Sequence, residues 1–175
     1  MRINDIIATL PLLGAAAAVD MRHYDPRRQV ERAFGSYLEK LYATAEDPRA
    51  THSFTNFFTP QGKLTVLNSV ASDPAAIIAL KEALLPPAGN KQWNHLPNIT
   101  TVYSETPRFK TYDVLGVIET RFNGRDCTKA YYSTRFTVTK DSSGVPQLQP
   151  HAGNLVHYDD YIVTPPHSPT GIPCD

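Results

Sequence analysis

The sequence predicts an α+β domain: a curved antiparallel sheet wrapped around N-terminal helices, forming a cone with an internal pocket. Segments with apolar residues at helical spacing come first, and long segments rich in Val, Thr, Tyr and Phe follow without interruption. Helices followed by a run of strands pack on one face of an antiparallel sheet. The chain has 175 residues, 41% of them hydrophobic. That is enough for one domain with a substantial core.

The first 19 residues stand apart. Residues 6–19 read IIATLPLLGAAAAV, without a charge, and the small residues 15–18 offer an A-x-A type cleavage site. Residues 1–19 therefore read as a secretory signal peptide. The segment is too short to span a bilayer, which takes ~20 apolar residues, so no stable membrane insertion is expected. Residues 20–163 are the expected domain, and residues 164–175 a Pro-rich C-terminal tail.

Within the domain, Asp25-Pro26 predicts a helix start, since Asp caps and Pro has no hydrogen bond to lose in the first turn. Val30, Phe34, Tyr37, Leu38 and Leu41 form its apolar stripe, and Asp47-Pro48 ends it. Phe57-Phe58-Thr59-Pro60-Gln61-Gly62 predicts a turn, and residues 63–70 a strand. Ser72-Asp73-Pro74 caps a second helix bearing Ile77, Ile78, Leu80, Lys81 and Leu84, which Pro86-Pro87 stops. Residues 100–105, 111–122, 128–140 and 147–163 predict four long strands. Gly116 and Gly153 are candidate bulges that would curve the sheet.

Charge is balanced, with 17 basic and 17 acidic residues. This argues against a general electrostatic grip on nucleic acid or anionic lipid. Cys127 and Cys174 are the sole cysteines, an even count that could pair, and Asn98-Ile99-Thr100 is a glycosylation sequon. With the leader, these features predict a secreted protein. A Cys127–Cys174 bridge would clip the tail to the body.

The segment Phe57-Phe58-Thr59-Pro60-Gln61-Gly62-Lys63-Leu64, together with Trp93-Asn94-His95-Leu96-Pro97-Asn98 and the order of elements, resembles the nuclear-transport-factor-2-like cone fold. That superfamily includes the SnoaL-like polyketide cyclases. The resemblance covers residues 27–163. With the leader, the chain resembles small secreted fungal members. Cyclases, dehydratases, isomerases and non-catalytic binders share this fold, so the resemblance is specific for fold and weak for function. The paired Tyr and His of scytalone dehydratase-like enzymes do not occur in recognisable order, and the acidic residue of SnoaL-like cyclases maps to no single position. The resemblance implies acid–base chemistry without a cofactor, on a small hydrophobic polyketide-type molecule. Such chemistry needs a base within reach of an acidic C–H and donors that hold the enolate.

His95 is the first candidate, and the resemblance places a His in this region of the chain. The alternative is a structural histidine bonded to backbone. On the last strand, His157, Asp159 and Tyr161 share one face, while Tyr158 and Asp160 share the other. A concave His157–Asp159 set would supply an acid and a base; otherwise it is a solvated edge. Tyr131, Ser133 and Arg135 share a face of the preceding strand, where Tyr131 and Arg135 could hold an oxyanion if that face turns inward. The blander expectation is a cross-strand ion pair between Glu119 and Arg135. No metal-ligand spacing, G-x-S-x-G or phosphate-binding glycine loop occurs, so neither metal nor cofactor is expected. A non-catalytic ligand carrier or a host-interaction protein is the alternative. Apolar residues on both strand faces predict a homodimer.

Overall fold

A computed structural model of the chain describes residues 19–163 and Cys174. Residues 1–18 of the expected leader and most of the tail lie outside the described residues. The elements are β1 (Asp25–Pro26), α1 (Arg32–Glu46), α2 (His52–Thr55), β2 (Phe58–Val66), β3 (Ser69–Ser72), α3 (Pro74–Leu84), β4 (Lys91–Glu105), β5 (Phe109–Phe122), β6 (Asp126–Thr139) and β7 (Leu155–Ile162). The strands form one curved, open sheet in the order β1-β4-β5-β6-β7-β2-β3. The expected antiparallel meander is its centre, β4 to β7. Two parallel pairs extend it, β1 with β4 and β2 with β7.

α1 carries the apolar stripe the spacing predicts: Phe34, Tyr37, Leu38, Leu41, Tyr42 and Ala45 are all buried. The helix starts at Arg32 rather than at Asp25-Pro26. That dipeptide is extended beside Ile99 and Thr100, and Arg27 donates its backbone N–H to the Thr100 carbonyl at 2.8 Å. Pairing with β4 satisfies the backbone there, so no helix is needed. Glu31 occupies the N-cap position but does not cap with its side chain. Its carboxylate instead accepts hydrogen bonds from Lys110 (2.6 Å) and the Tyr112 hydroxyl, fastening the helix start to β5.

The expected turn at Pro60-Gln61-Gly62 is a bulge inside β2. The register against β7 shifts between Phe58 and Lys63, and a Cβ on Gly62 would lie 2.9 Å from the Leu155 carbonyl oxygen. The chain reverses later, around Leu67, where φ is 54°. At α3 the expectation holds: Asp73 accepts the Ala76 N–H at 2.9 Å, with Pro in the first turn.

β4 begins at Lys91, so Trp93-Asn94-His95-Leu96-Pro97-Asn98 lies within the strand instead of leading into it. Pro97 removes one ladder donor, and the register slips between Pro97 and Thr100. The bulge thus sits on β4, across from Gly116, which stays in regular register with β6. Gly116 has a different task, because a Cβ there would stand 2.3 Å from the Tyr132 ring and 2.7 Å from the Leu96 carbonyl oxygen. Residues 147–154 are not strand. This loop is held by backbone bonds from Gln147 to Thr139 and from Gly153 to Asn56, so Gly153 (φ 65°) serves a turn and not a bulge.

The core fills the space between α1 and the concave face. Tyr112 and Val114 of β5, Tyr132, Phe136 and Val138 of β6, and Leu155 and Tyr158 of β7 meet the α1 stripe there. Val19, at the end of the expected leader, is buried against the same core. Cys127 and Cys174 form a disulfide with Cα atoms 6.1 Å apart. Among the described residues no helix is long and apolar enough to cross a membrane.

Two stability outcomes follow from this packing. Gly116→Val should cost about 1–3 kcal/mol in urea unfolding, because the Leu96 backbone cannot retreat as a side chain can. Cys174→Ser should cost about 4 kcal/mol by opening the loop to Cys127, read as a lower urea midpoint for the variant than for the oxidised wild type.

Candidate functional site

The helices leave part of the cone unfilled. A cavity of about 280 Å³ lies between α1, α3 and the sheet, with Trp93, His95, Ile118, Tyr158 and Asp160 among its walls. Leu67 and Ile162 also line it and are 51% and 52% exposed, which marks its opening to solvent. Such a site is mostly apolar with a few converging polar groups, as small-molecule sites are.

β4 alternates, so Trp93 and His95 turn inward while Asn94 turns outward and bonds Glu119 at 3.1 Å. His95 is buried, with 4% of its surface exposed. Its Nδ1 lies 3.0 Å from Glu46 Oε1, and the same oxygen accepts the His95 backbone N–H at 2.6 Å. Glu46 is the last residue of α1, so the helix end delivers a carboxylate to the inner strand. With Nδ1–H donated to that carboxylate, Nε2 is left as the basic nitrogen. The imidazole stacks on Tyr42 at 4.2 Å with a 9° interplanar angle, and Tyr132 meets it edge-on at 5.7 Å. Ring orientation is therefore fixed from two sides as well as by Glu46.

Asp160 reaches the cavity from β7 and accepts a hydrogen bond from the Thr134 hydroxyl. Burial pushes its carboxyl above the ordinary value, while the Thr134 hydrogen bond and the nearby His95 charge pull the other way. Burial likewise raises the phenols of Tyr42, Tyr132 and Tyr158, all of which feel the Asp160 charge. The Tyr42 and Tyr132 hydroxyls are buried without a well-formed hydrogen bond, although each lies near enough to perturb the other. One imidazole, one carboxyl biased towards its neutral form and one cavity-lining phenol thus converge in an apolar space. That set can remove a proton from carbon and supply one to oxygen.

Of the residues expected from sequence, His95 stands in the cavity. His157, Asp159, Tyr131 and Arg135 do not, because they belong to the convex face. On β6 the inward set is Tyr132, Thr134, Phe136 and Val138, and on β7 it is Tyr158 and Asp160. Side chains alternate strictly, so the choice of inward face moves a whole strand at once. The bulky phase of β6, Tyr132-Phe136-Val138, was the signal for it. The Glu119–Arg135 ion pair does not form. Glu119 stands opposite Lys129, while Arg135 stands opposite Asp113 and Asp159 with its guanidinium 3.8 Å from the Tyr103 ring centre. Glu46 had no signal in sequence, since it follows the apolar stripe like any solvated helix end. Asn98 is half-buried at the β4 bulge, and its carbonyl accepts the Thr100 hydroxyl at 3.2 Å.

No family model and no curated protein sequence matches the chain. Solved structures do match. ActVI-ORFA from Streptomyces coelicolor superposes with a TM-score of 0.55 at 14% identity, over 73% of this chain and 95% of that one. A putative scytalone dehydratase from Novosphingobium aromaticivorans gives 0.56 at 13% identity, over 76% and 83%. The chain has the nuclear-transport-factor-2-like cone fold. The Anabaena orange carotenoid protein binding canthaxanthin shares the cone with a TM-score of 0.57 at 13% identity, covering 95% of this chain and 45% of that longer one.

The Asp160 environment predicts a pH signature. A carboxyl raised on folding contributes fully below its unfolded value of 3.8, and that contribution is lost as pH rises through the higher folded value. Asp160→Asn should therefore gain stability relative to wild type as pH rises above 3.8 towards the raised folded value. Urea midpoints of the two proteins across that range should diverge with rising pH, and parallel curves would contradict the assignment.

Proposed function

We propose that this protein is a cofactor-free acid–base catalyst of the cyclase, dehydratase or isomerase kind, acting on a small hydrophobic polyketide-type compound. The observation that carries the reading is the Glu46-oriented His95 beside Asp160 inside the apolar cavity. In the proposed step, His95 Nε2 takes a proton from carbon next to a carbonyl. Glu46 keeps the Nδ1 proton engaged and stabilises the imidazolium that forms. Neutral Asp160, with Tyr158, donates to the oxygen on which charge develops, or to a departing hydroxyl. Asp160 thus takes a place in the acid–base set that the sequence offered to the His157–Asp159 pair, and the resemblance to ActVI-ORFA and the dehydratase supports the reaction class.

The Cys127–Cys174 disulfide supports an oxidising, secretory location, in keeping with residues 1–19 as leader and Asn98 as a glycan acceptor. Dimerisation through the convex face is part of the proposal, supported by Tyr103 and Tyr161, which are 55% and 40% exposed there. A ligand carrier is the second reading. It is favoured by the apolar cavity walls and by the carotenoid-binding protein that shares the cone.

Deuterium exchange distinguishes the two. With a bicyclic β-diketone in D2O, followed by proton NMR, wild type should accelerate exchange of the acidic C–H. His95→Ala should lower the enzymic rate by about 10²–10⁴-fold, and Glu46→Gln by less. Binding of the diketone without accelerated exchange would establish the carrier instead, and accelerated exchange untouched by His95→Ala would exclude His95 as the base.

A further inference from the structure

Two lysines line the cavity, and among the described residues neither has a carboxylate within ion-pairing distance. Lys81 lies on the buried face of α3 and is 3% exposed. Its ammonium donates to the Asp47 carbonyl oxygen at 2.5 Å and stands 5.9 Å from the centre of the Phe54 ring. The Asp47 and Glu82 carboxylates act on it through space alone. Lys91, the first residue of β4, donates to the Leu84 carbonyl at 2.7 Å and lies over the Trp93 ring at 5.1 Å. Each ammonium has three protons, and each has one committed to a backbone carbonyl.

This arrangement is costly for a protein that needs only a folded core. Withdrawing the Lys81 ammonium from water without a counter-charge is unfavourable, and a Met there would fill the same space. Burial does lower the readiness of both amines to hold their protons, but neither is neutralised by a protein acid. Asp160, the acid on the cavity wall, is itself biased towards its neutral form and already accepts from Thr134. The cavity therefore has an excess of positive groups and a shortage of negative ones, within apolar walls. A ligand that brought the missing charge would recover the desolvation already spent on the lysines.

We propose that the cavity selects an anion: an apolar ring skeleton bearing one carboxylate or comparably acidic oxygen, which Lys81 holds and Lys91 supports from the more open side. The proposal rests on reading the cavity as a ligand site, and it narrows the substrate class of the reaction proposed above. It also orients the molecule. With the anion held at the α3 side, the rings are directed along Trp93 towards His95.

The test compares 2-naphthoate with its neutral isostere 2-naphthamide by calorimetric titration of the full chain. Wild type should bind the acid at least about tenfold more tightly than the amide, as expected for one charge-assisted contact. Lys81→Met should remove most of that preference and Lys91→Met part of it, with amide affinity unchanged in both. Lys81→Arg should retain it. The wild-type comparison requires no variant to fold. Equal affinity for acid and amide in wild type, or a preference that survives in the Lys81→Met/Lys91→Met double variant, would overturn the anion site and leave the acid–base reading standing. If neither probe binds, the proposal falls together with the cavity reading on which it rests.

Discussion

The structure depends on the burial of the α1 aromatic stripe in the concave sheet. Phe34 stacks on Tyr112 at 3.9 Å, and Tyr37 meets Phe57 edge-on at 5.4 Å. Tyr42 touches both Phe136 and Tyr132. Aromatic pairs of this kind bury large areas and fix geometry as well as adding energy. Once they are seated, the ends of the helix have no freedom. Glu31 at one end is delivered to Lys110 and Tyr112, and Glu46 at the other to His95. One hydrophobic contact thus positions the carboxylate that orients the candidate base.

The same packing concentrates polar groups where they are expensive. Tyr42 and Tyr132 keep hydroxyls that make no well-formed hydrogen bond, Asp160 is pressed towards neutrality, and Lys81 holds a charge under 3% exposure. Phe at the tyrosines and Met at Lys81 would make a drier and more stable core. Lys81 and Asp160 line the cavity and Tyr42 and Tyr132 pack against its His95, whereas the opposite end of the cone balances its charges. There Lys110 has Glu31 and Glu105, and Lys140 has Glu105. The contrast between the balanced lysines at one end and Lys81 and Lys91 at the other is a stronger indication of function than the cavity volume, because an apolar cavity can persist empty and dry in a folded protein.

Periodicity made much of the fold readable. The stripe on α1, the cap at Asp73 and the long β-prone segments all obey local rules that need no partner to operate. Where a local rule failed, a distant partner had overridden it. Pro60 and Gly62 look like a turn but follow β7 as a bulge, and Asp25-Pro26 looks like a helix start but is paired with β4. In the candidate site, His95 was recognisable because an imidazole beside Trp93 and Leu96 is an unusual group in an apolar segment. Asp160 is visible as a residue, yet the strand pattern offers the His157–Asp159 face as readily, since one adjacent position on a strand exchanges cavity for outer surface.

By itself, then, the sequence determined the class of fold, the rough extent of its helices and strands, the one disulfide open to its two cysteines, and a histidine worth attention. These follow from short-range chemistry: helix and strand periods, proline and glycine punctuation, and the count of thiols. The tertiary structure alone decided which face of β6 and β7 turns inward, and so chose Asp160 over Asp159. It alone brought Glu46 to His95 across 49 residues of sequence, and left two lysines in one cavity with no carboxylate among the described residues in ion-pairing distance. Those outcomes are set by which surfaces the aromatic core must bury, a condition imposed by the whole chain at once and written in no single segment of it.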